Sequence, residues 1–303
     1  MSKKVSIVIV NFNTCELLKN CILSIKKNIK NIDYEIIVVD NKSIDDSILM
    51  LEQEFKDIIL IKSSKNLGFG KANNKGIDYA NGDYIFLLNS DTLIINNVLE
   101  IFYKFMEEHK NVGICGGTLY TKDLKPNMPL YIYPTFLTEI LEIPIQFLLY
   151  VIKVYLGKNI VNKIPKKPKE VSWLSGADMF IRKEVFEKCG KFDSDFFLYF
   201  EETELLNRVK KKFKLYLVPE AKIIHLDGGS FKFKKEREIY FQTSRYIFFK
   251  KMYGRQSLKY LYYITKLNNT IKYTIANIFN LGNIQNLKEK QQINKQIYEM
   301  WKK

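Results

Sequence analysis

Hydrophobic positions in the first hundred residues follow two rhythms. Short runs rich in Val and Ile occur at VSIVIV (5–10), EIIVVD (35–40), IILIKS (58–63) and YIFLLNSD (84–91). Runs of this length that are apolar at nearly every position predict strands buried on both faces. Between the first two, Leu17, Leu18, Cys21, Ile22 and Ile25 recur at helical spacing. Further helices are predicted over 43–55, with Ser43 as a candidate N-cap, over 71–80 and over 96–109. Strands alternating with helices predict an α/β fold with a mostly parallel central sheet flanked by helices.

After Tyr120 the pattern weakens. Residues 123–170 hold six prolines around an apolar helical stretch, and read as a partly helical insertion. Strand-like order resumes at 171–183, a helix is expected over 202–212, and 215–225 reads as two strands with a turn at Pro219. From Phe231 onward the chain looks helical. The expected division is a domain of residues 1–230, carrying the insertion, and a C-terminal helical extension of 231–303.

Polar residues cluster where the strands end: Asn11 and Asn13, Asp40 and Asn41, Ser63 and Lys65, Asn89 and Asp91. In open α/β sheets ligands bind outside the carboxyl ends of the strands. Four polar ends in succession predict one shared site.

Charge changes the picture only in the tail. Of the net charge of +15, residues 231–303 hold most, with thirteen Lys and three Arg against four Glu. Tyr and Phe are interleaved with these lysines, as in YIFFKKMYG (246–254). A basic aromatic helix suits an anionic membrane surface, or is simply a helical cap with a solvated face. No nucleic-acid-binding motif accompanies it, so no nucleic-acid partner is expected. The four cysteines form no metal or disulfide pattern. No secretory leader and no membrane-spanning run is read, which makes a cytoplasmic location the expectation, with peripheral contact at the inner face of the membrane through the tail.

Individual motifs carry chemistry weakly. In IFLLNSDT (85–92) a carboxylate leaves the end of a strand, where it can hold a divalent cation or cap a helix. In VVDNKSIDDS (39–48), Asp40 can accept from a base N–H or a ribose hydroxyl, or belong to a capping loop. KNLGFGKANNKG (65–76) allows close backbone approach but is no Walker loop. In FFLYFEETELLNR (196–208), aromatic neighbours raise a carboxyl toward the range useful for a general base, while acids also favour a helix N-terminus. His225, ending AKIIH, is a candidate metal ligand or a structural histidine.

Together with WLSGADMFIRKEVF, these motifs in this order resemble the inverting family 2 glycosyltransferases of the GT-A fold, nearest their rhamnosyltransferase-like branch. The resemblance covers most of residues 5–230 except 123–170. It implies transfer of a sugar from a dTDP- or UDP-sugar to an acceptor hydroxyl, in cell-surface polysaccharide or glycan synthesis. It implies a divalent cation, Mn2+ or Mg2+, on Asp91 and His225. It places the nucleotide against Val10, Asn11, Asn13, Asp40, Asn66, Gly70, Asn73, Asn89 and Ser90. It makes Glu202 the catalytic base, with Glu201 as the substitute, and lines the side of a glycan or lipid-linked glycan acceptor with Trp173, Ser175, Gly176 and Asp178. Two departures stand out: Asn89 occupies the place of a first metal carboxylate, and the base is Glu where the family has Asp. The missing carboxylate keeps open a non-catalytic nucleotide-sugar-binding or scaffold subunit. A nucleotidyltransferase would want a basic Gly-rich loop after the first strand, where NFNTCELLK stands instead. Neither the sugar nor the oligomeric state is read from the sequence.

Overall fold

The computed structural model describes residues 5–127, 133–143, 164–226, 234–278 and 284–302. By the density of its internal contacts the chain divides into two compact units: residues 1–128 with 163–232, and residues 129–162 with 233–303.

The first unit is built on a nine-stranded mixed sheet. Strands β1 (Val5–Asn11), β2 (Tyr34–Asp40), β3 (Ile59–Lys62) and β4 (Tyr84–Asn89) are parallel, in the order β3-β2-β1-β4. Alternate residues explain why helices cover both faces. Ile7, Ile9, Phe86 and Leu88 join one apolar cluster, with α1 (Cys15–Asn28), α2 (Ser47–Glu54) and α4 (Val98–Glu108). Val8, Ile85 and Leu87 join the other, with α3 (Phe69–Tyr79), α6 (Lys183–Cys189) and α7 (Glu201–Val209).

Beyond β4 the sheet is mixed. β8 (Asp178–Arg182) runs against β4 and β6 (Val112–Tyr120), β6 is parallel to β9 (Lys214–His225), and β5 (Thr92–Ile94) and β7 (Lys169–Glu170) run against β9. The expectation of a mostly parallel sheet therefore describes its first half. The pair of strands expected on either side of Pro219 is one strand. Its pairing with β6 shifts register between Gly116 and Thr118, and Pro219 sits within that irregularity. Ser43 is not the cap of α2, which begins at Ser47; its hydroxyl serves Asn11 and Asn13 instead.

The second unit brings together α5 (Phe136–Ile140), α8 (Lys234–Tyr253), α9 (Ser257–Ile278) and α10 (Ile284–Lys302). Phe136 packs on Phe249 and Tyr253, and the Arg245 guanidinium pairs with Glu139. Tyr262 stacks on Tyr298 at 4.2 Å, and buried Tyr246 donates to Asn294. The sequence expectation puts 123–170 with the first 230 residues; of its described parts, 123–127 and 164–170 belong to the first unit and 133–143 packs with the tail helices. Its apolar stretch over 144–163 lies outside the described residues. Among the described residues no helix is long and apolar enough to cross a membrane.

Candidate active site

The carboxyl ends of β1, β2 and β4 carry a continuous chain of buried polar groups. The Asn11 side-chain amide donates to Asp40 at 2.9 Å and to Ser43 Oγ at 3.0 Å. Its oxygen accepts from Thr14 Oγ1 at 2.7 Å. Thr14 Oγ1 also lies 2.9 Å from Ser90 Oγ. A hydroxyl has one proton, so with Thr14 donating to Asn11, Ser90 is the donor to Thr14. Asp40 is fully buried, and its second oxygen accepts the Ser43 N–H at 2.9 Å. Parallel register places Asn11 directly beside Asp40, which is why the sequence brings these two groups together.

Asp91 follows Ser90, and β5 pairing with β9 sets Thr92 opposite His225. The Asp91 carboxylate and His225 Nε2 lie 3.2 Å apart, both largely buried. Among the described residues no group of three or more His, Cys, Asp and Glu forms a ready cation cage. Within electrostatic reach of His225 lies Asp178, 2% exposed, whose carboxyl accepts the Gly117 N–H at 2.6 Å. Burial pushes Asp178 up to about 8, against the opposing pull of that amide and of His225.

The residues before β8 carry the rim toward the acids. The Asn89 N–H donates to the Ala177 carbonyl at 3.0 Å. A Cβ on Gly176 would lie 3.7 Å from the Glu202 Cβ, so Glu202 stands over this turn. Ser175 Oγ accepts from the Ala177 N–H, and Trp173 is half-buried against the second apolar cluster. Glu202 is half-buried and Glu201 is 3% exposed, with Glu201 Oε2 buried and without a hydrogen-bond partner. Burial raises Glu201 well above the usual carboxylate range, and the charge of Glu202 raises it further. Burial also raises Glu202.

The acids are presented by an unusual turn. Tyr199 and Phe200 both have positive φ, 70° and 66°, a region that costs bulky residues energy. The turn is stapled to the glycine-rich loop by the Phe69 N–H donating to Phe197 O at 2.8 Å. Asn66 accepts from the Asn41 side chain at 2.8 Å and from the Gly68 N–H, so Asn41 links the Asp40 corner to the same loop. Gly70 packs against Phe192 and Glu201, and buried Asn73 donates to the Phe69 carbonyl. Asn13 accepts from the Ile44 N–H through its side chain, and Val10 is half-buried.

Asp40, Asp91, His225 and Glu202 thus belong to one rim. Sequence reasoning missed Thr14 and read Ser43 only as a helix cap; with Asn41, expected at a strand end, they join its parts. The motif end at 227–230 lies outside the described residues.

A sheet of this topology, with carboxylates gathered outside β1, β2 and β4, defines the GT-A class of nucleotide-sugar-dependent transferase folds. The model of "Glycosyl transferase family 2" matches residues 6–190, and the chain belongs to that family. It is similar to an uncharacterised glycosyltransferase, MJ1057, of Methanocaldococcus jannaschii, 34% identical over 41% of this chain and 44% of that protein. It is also similar to the rhamnosyltransferase WbbL of Escherichia coli K12, 29% identical over 74% of this chain and 87% of that one. The crystal structure of TarS from S. aureus superposes with a TM-score of 0.55 at 14% identity, covering 87% of this chain and 43% of that one, a likeness of fold alone. The chain spans less than half the length of the first and last of these.

Proposed function

We propose that the protein transfers a sugar from a dTDP- or UDP-linked donor to an acceptor hydroxyl, with inversion, in cell-surface polysaccharide or glycan synthesis. The observation that carries the reading is the convergence at one rim of the Asp40–Asn11–Thr14–Ser90 chain, the Asp91–His225 pair and the Glu201–Glu202 carboxyls. The similarity to the rhamnosyltransferase WbbL makes a deoxyhexose donor the first to try.

In this reading the nucleotide lies along Val10, Asn11, Asn13 and Asp40, with the 66–73 loop and Asn89–Ser90 closing its sides. Asp91 and His225 offer one carboxylate and one imidazole, a donor set that suits Mn2+ better than the oxygen-preferring Mg2+. Bound there, the cation would neutralise charge on the departing nucleoside diphosphate. Glu202 takes the acceptor hydroxyl proton as that oxygen bonds to the anomeric carbon and the carbon–phosphate oxygen bond breaks. Glu201, more deeply buried and raised further, holds its proton more tightly than its neighbour. Trp173, Ser175 and Gly176 border the acceptor, whereas Asp178 is buried and its carboxyl is taken up by the Gly117 N–H.

Replacing Glu202 by Gln should lower turnover by about 10²–10⁴-fold while the donor still raises the melting temperature. Full turnover in that variant refutes the base assignment. A scaffold subunit, kept open by Asn89, would bind donor without Mn2+-dependent donor hydrolysis.

For the second unit we propose contact with an anionic membrane. Tyr260, Tyr263, Leu267 and Ile271 are exposed along one side of α9, with Lys259 and Lys266 exposed on its flank. Co-sedimentation with phosphatidylglycerol vesicles, native against Leu267→Glu/Ile271→Glu, tests this; equal binding rejects it.

A further inference from the structure

Helix α7 carries Glu202 in its first turn and leads at its other end into Lys210, Lys211, Lys212 and Lys214. These four lysines line a cleft of about 810 Å³ together with Asn111 and Ser172. Glu170 is the one acid among the described residues that line it, and it engages Lys214 at 2.9 Å. Lys212 donates to the Lys188 carbonyl at 2.7 Å. Cations near a helix C-terminus are ordinary, since they face its last carbonyls. All four lie beyond Val209, the last residue of the helix, however, and they line one concave surface. Burial depresses Lys210, and an anion placed beside it would oppose that shift. The excess is local, because residues 1–230 carry little of the chain's net charge.

The cleft is joined to the proposed reaction centre in two ways. Eight residues of helix separate Glu202 from Lys210, about 12 Å at 1.5 Å per residue. The segment that begins at Ser172 in the cleft wall runs on to Gly176 beside Glu202.

We propose that this cleft binds a phosphate or diphosphate carried by the acceptor, and so selects anionic acceptors long enough to reach from it to Glu202. The inference rests on the transferase reading of Glu202. A short glycosyl phosphate bridges such a distance. The phosphate could belong to the diphosphate of a lipid-linked glycan or to a phosphodiester of a polyol-phosphate chain; the chemistry recognised is the same.

The test uses the full chain and two probes, a short isoprenyl diphosphate and a glycerol-phosphate oligomer, with binding followed by calorimetry at low and high salt. Native protein is compared with Lys210→Gln/Lys211→Gln, and with Lys122→Gln/Lys125→Gln, which removes equal charge from exposed positions elsewhere. The expected result is salt-sensitive binding of one or both probes, weakened about tenfold in the first variant and unchanged in the second. The probe that binds names the source of the phosphate. Failure of both probes to bind, or equal loss in the two variants, overturns the proposal. So does unchanged binding in the first variant. Stabilisation by nucleotide-sugar is measured alongside on all three proteins. Its absence from the native protein would sink the transferase reading, whereas its presence with a silent cleft sinks only this inference.

Discussion

Gly68→Ala is the sharpest probe of how the donor loop and the acids are held together. Gly68 has φ 79° and ψ −177°, a region that in practice only glycine occupies. A Cβ there would lie 2.1 Å from the Phe197 carbonyl oxygen, with the Phe197 C and Cα at 2.8 and 2.9 Å. All three are backbone atoms, so no side chain can swing aside. Backbone strain costs about 1–3 kcal/mol, and overpacking about 1–3 kcal/mol more. The sum, about 2–6 kcal/mol, is a large share of the 5–15 kcal/mol (roughly) that stabilises a typical domain. Relief requires residue 197 to retreat, which breaks the Phe69–Phe197 hydrogen bond and disturbs the Tyr199–Phe200 turn that positions Glu202. Turnover should therefore fall together with stability. Urea denaturation followed by circular dichroism gives the first quantity, and turnover at saturating donor the second. Gly70→Ala is the milder comparison for stability: its Cβ would meet the Phe192 Cβ at 3.1 Å with no positive φ to add strain, and should cost about 1 kcal/mol, the low end of overpacking. If Gly68→Ala lies within about 0.5 kcal/mol of native and keeps its turnover, the staple has no mechanical role.

Other consequences follow from the same contacts. Glu202 must be ionised to accept a proton and burial raises it, so turnover should fall with acid at a pH above the ordinary glutamate value of about 4.3; an acid limb at or below that value contradicts the burial argument. Glu201 is raised further, so the folded state keeps its proton after the unfolded chain has lost it, and stability drains away as pH rises above that same value. Glu201→Gln should flatten this slope in urea titrations, and an unchanged slope refutes it. Thr14→Val removes the acceptor of the Ser90 hydroxyl and should cost about 1–3 kcal/mol, with weakened donor binding by thermal shift. Arg245→Met leaves the Glu139 carboxylate nearly buried without its partner, at about 3–5 kcal/mol, most of it recovered by adding Glu139→Leu; a loss under about 1 kcal/mol would show the pair to be solvated.

The parallel half of the sheet was legible because Val5–Val10 and Tyr84–Leu88 are apolar on both faces, a pattern few other structures produce. β6 went unread since three glycines interrupt VGICGGTLY. At Gly117 the reason is a close approach, for a Cβ there would lie 2.6 Å from the Ala221 carbonyl oxygen. β5 is three residues long and owes its existence to β9, more than a hundred positions away. Of the site, Asp40, Asp91 and Glu202 were legible as acids at element ends. Asn41 was legible as a polar strand end, whereas Thr14 was not and Ser43 was legible only as a cap, because their hydrogen bonds reach between strand ends rather than along any local pattern. The positive φ at Tyr199 and Phe200 runs against what their side chains prefer, so composition could not announce it.

Phe136 and Phe249 meet in the second unit although the chain makes them far apart in time. At about 5–20 residues per second, the earlier ring waits on the order of ten seconds after leaving the ribosome for its partner to be synthesised. During that interval the unmatched segment is a natural client for a chaperone, and a premature stop codon ahead of that for Phe249 would release a polypeptide in which Phe136 lacks this partner.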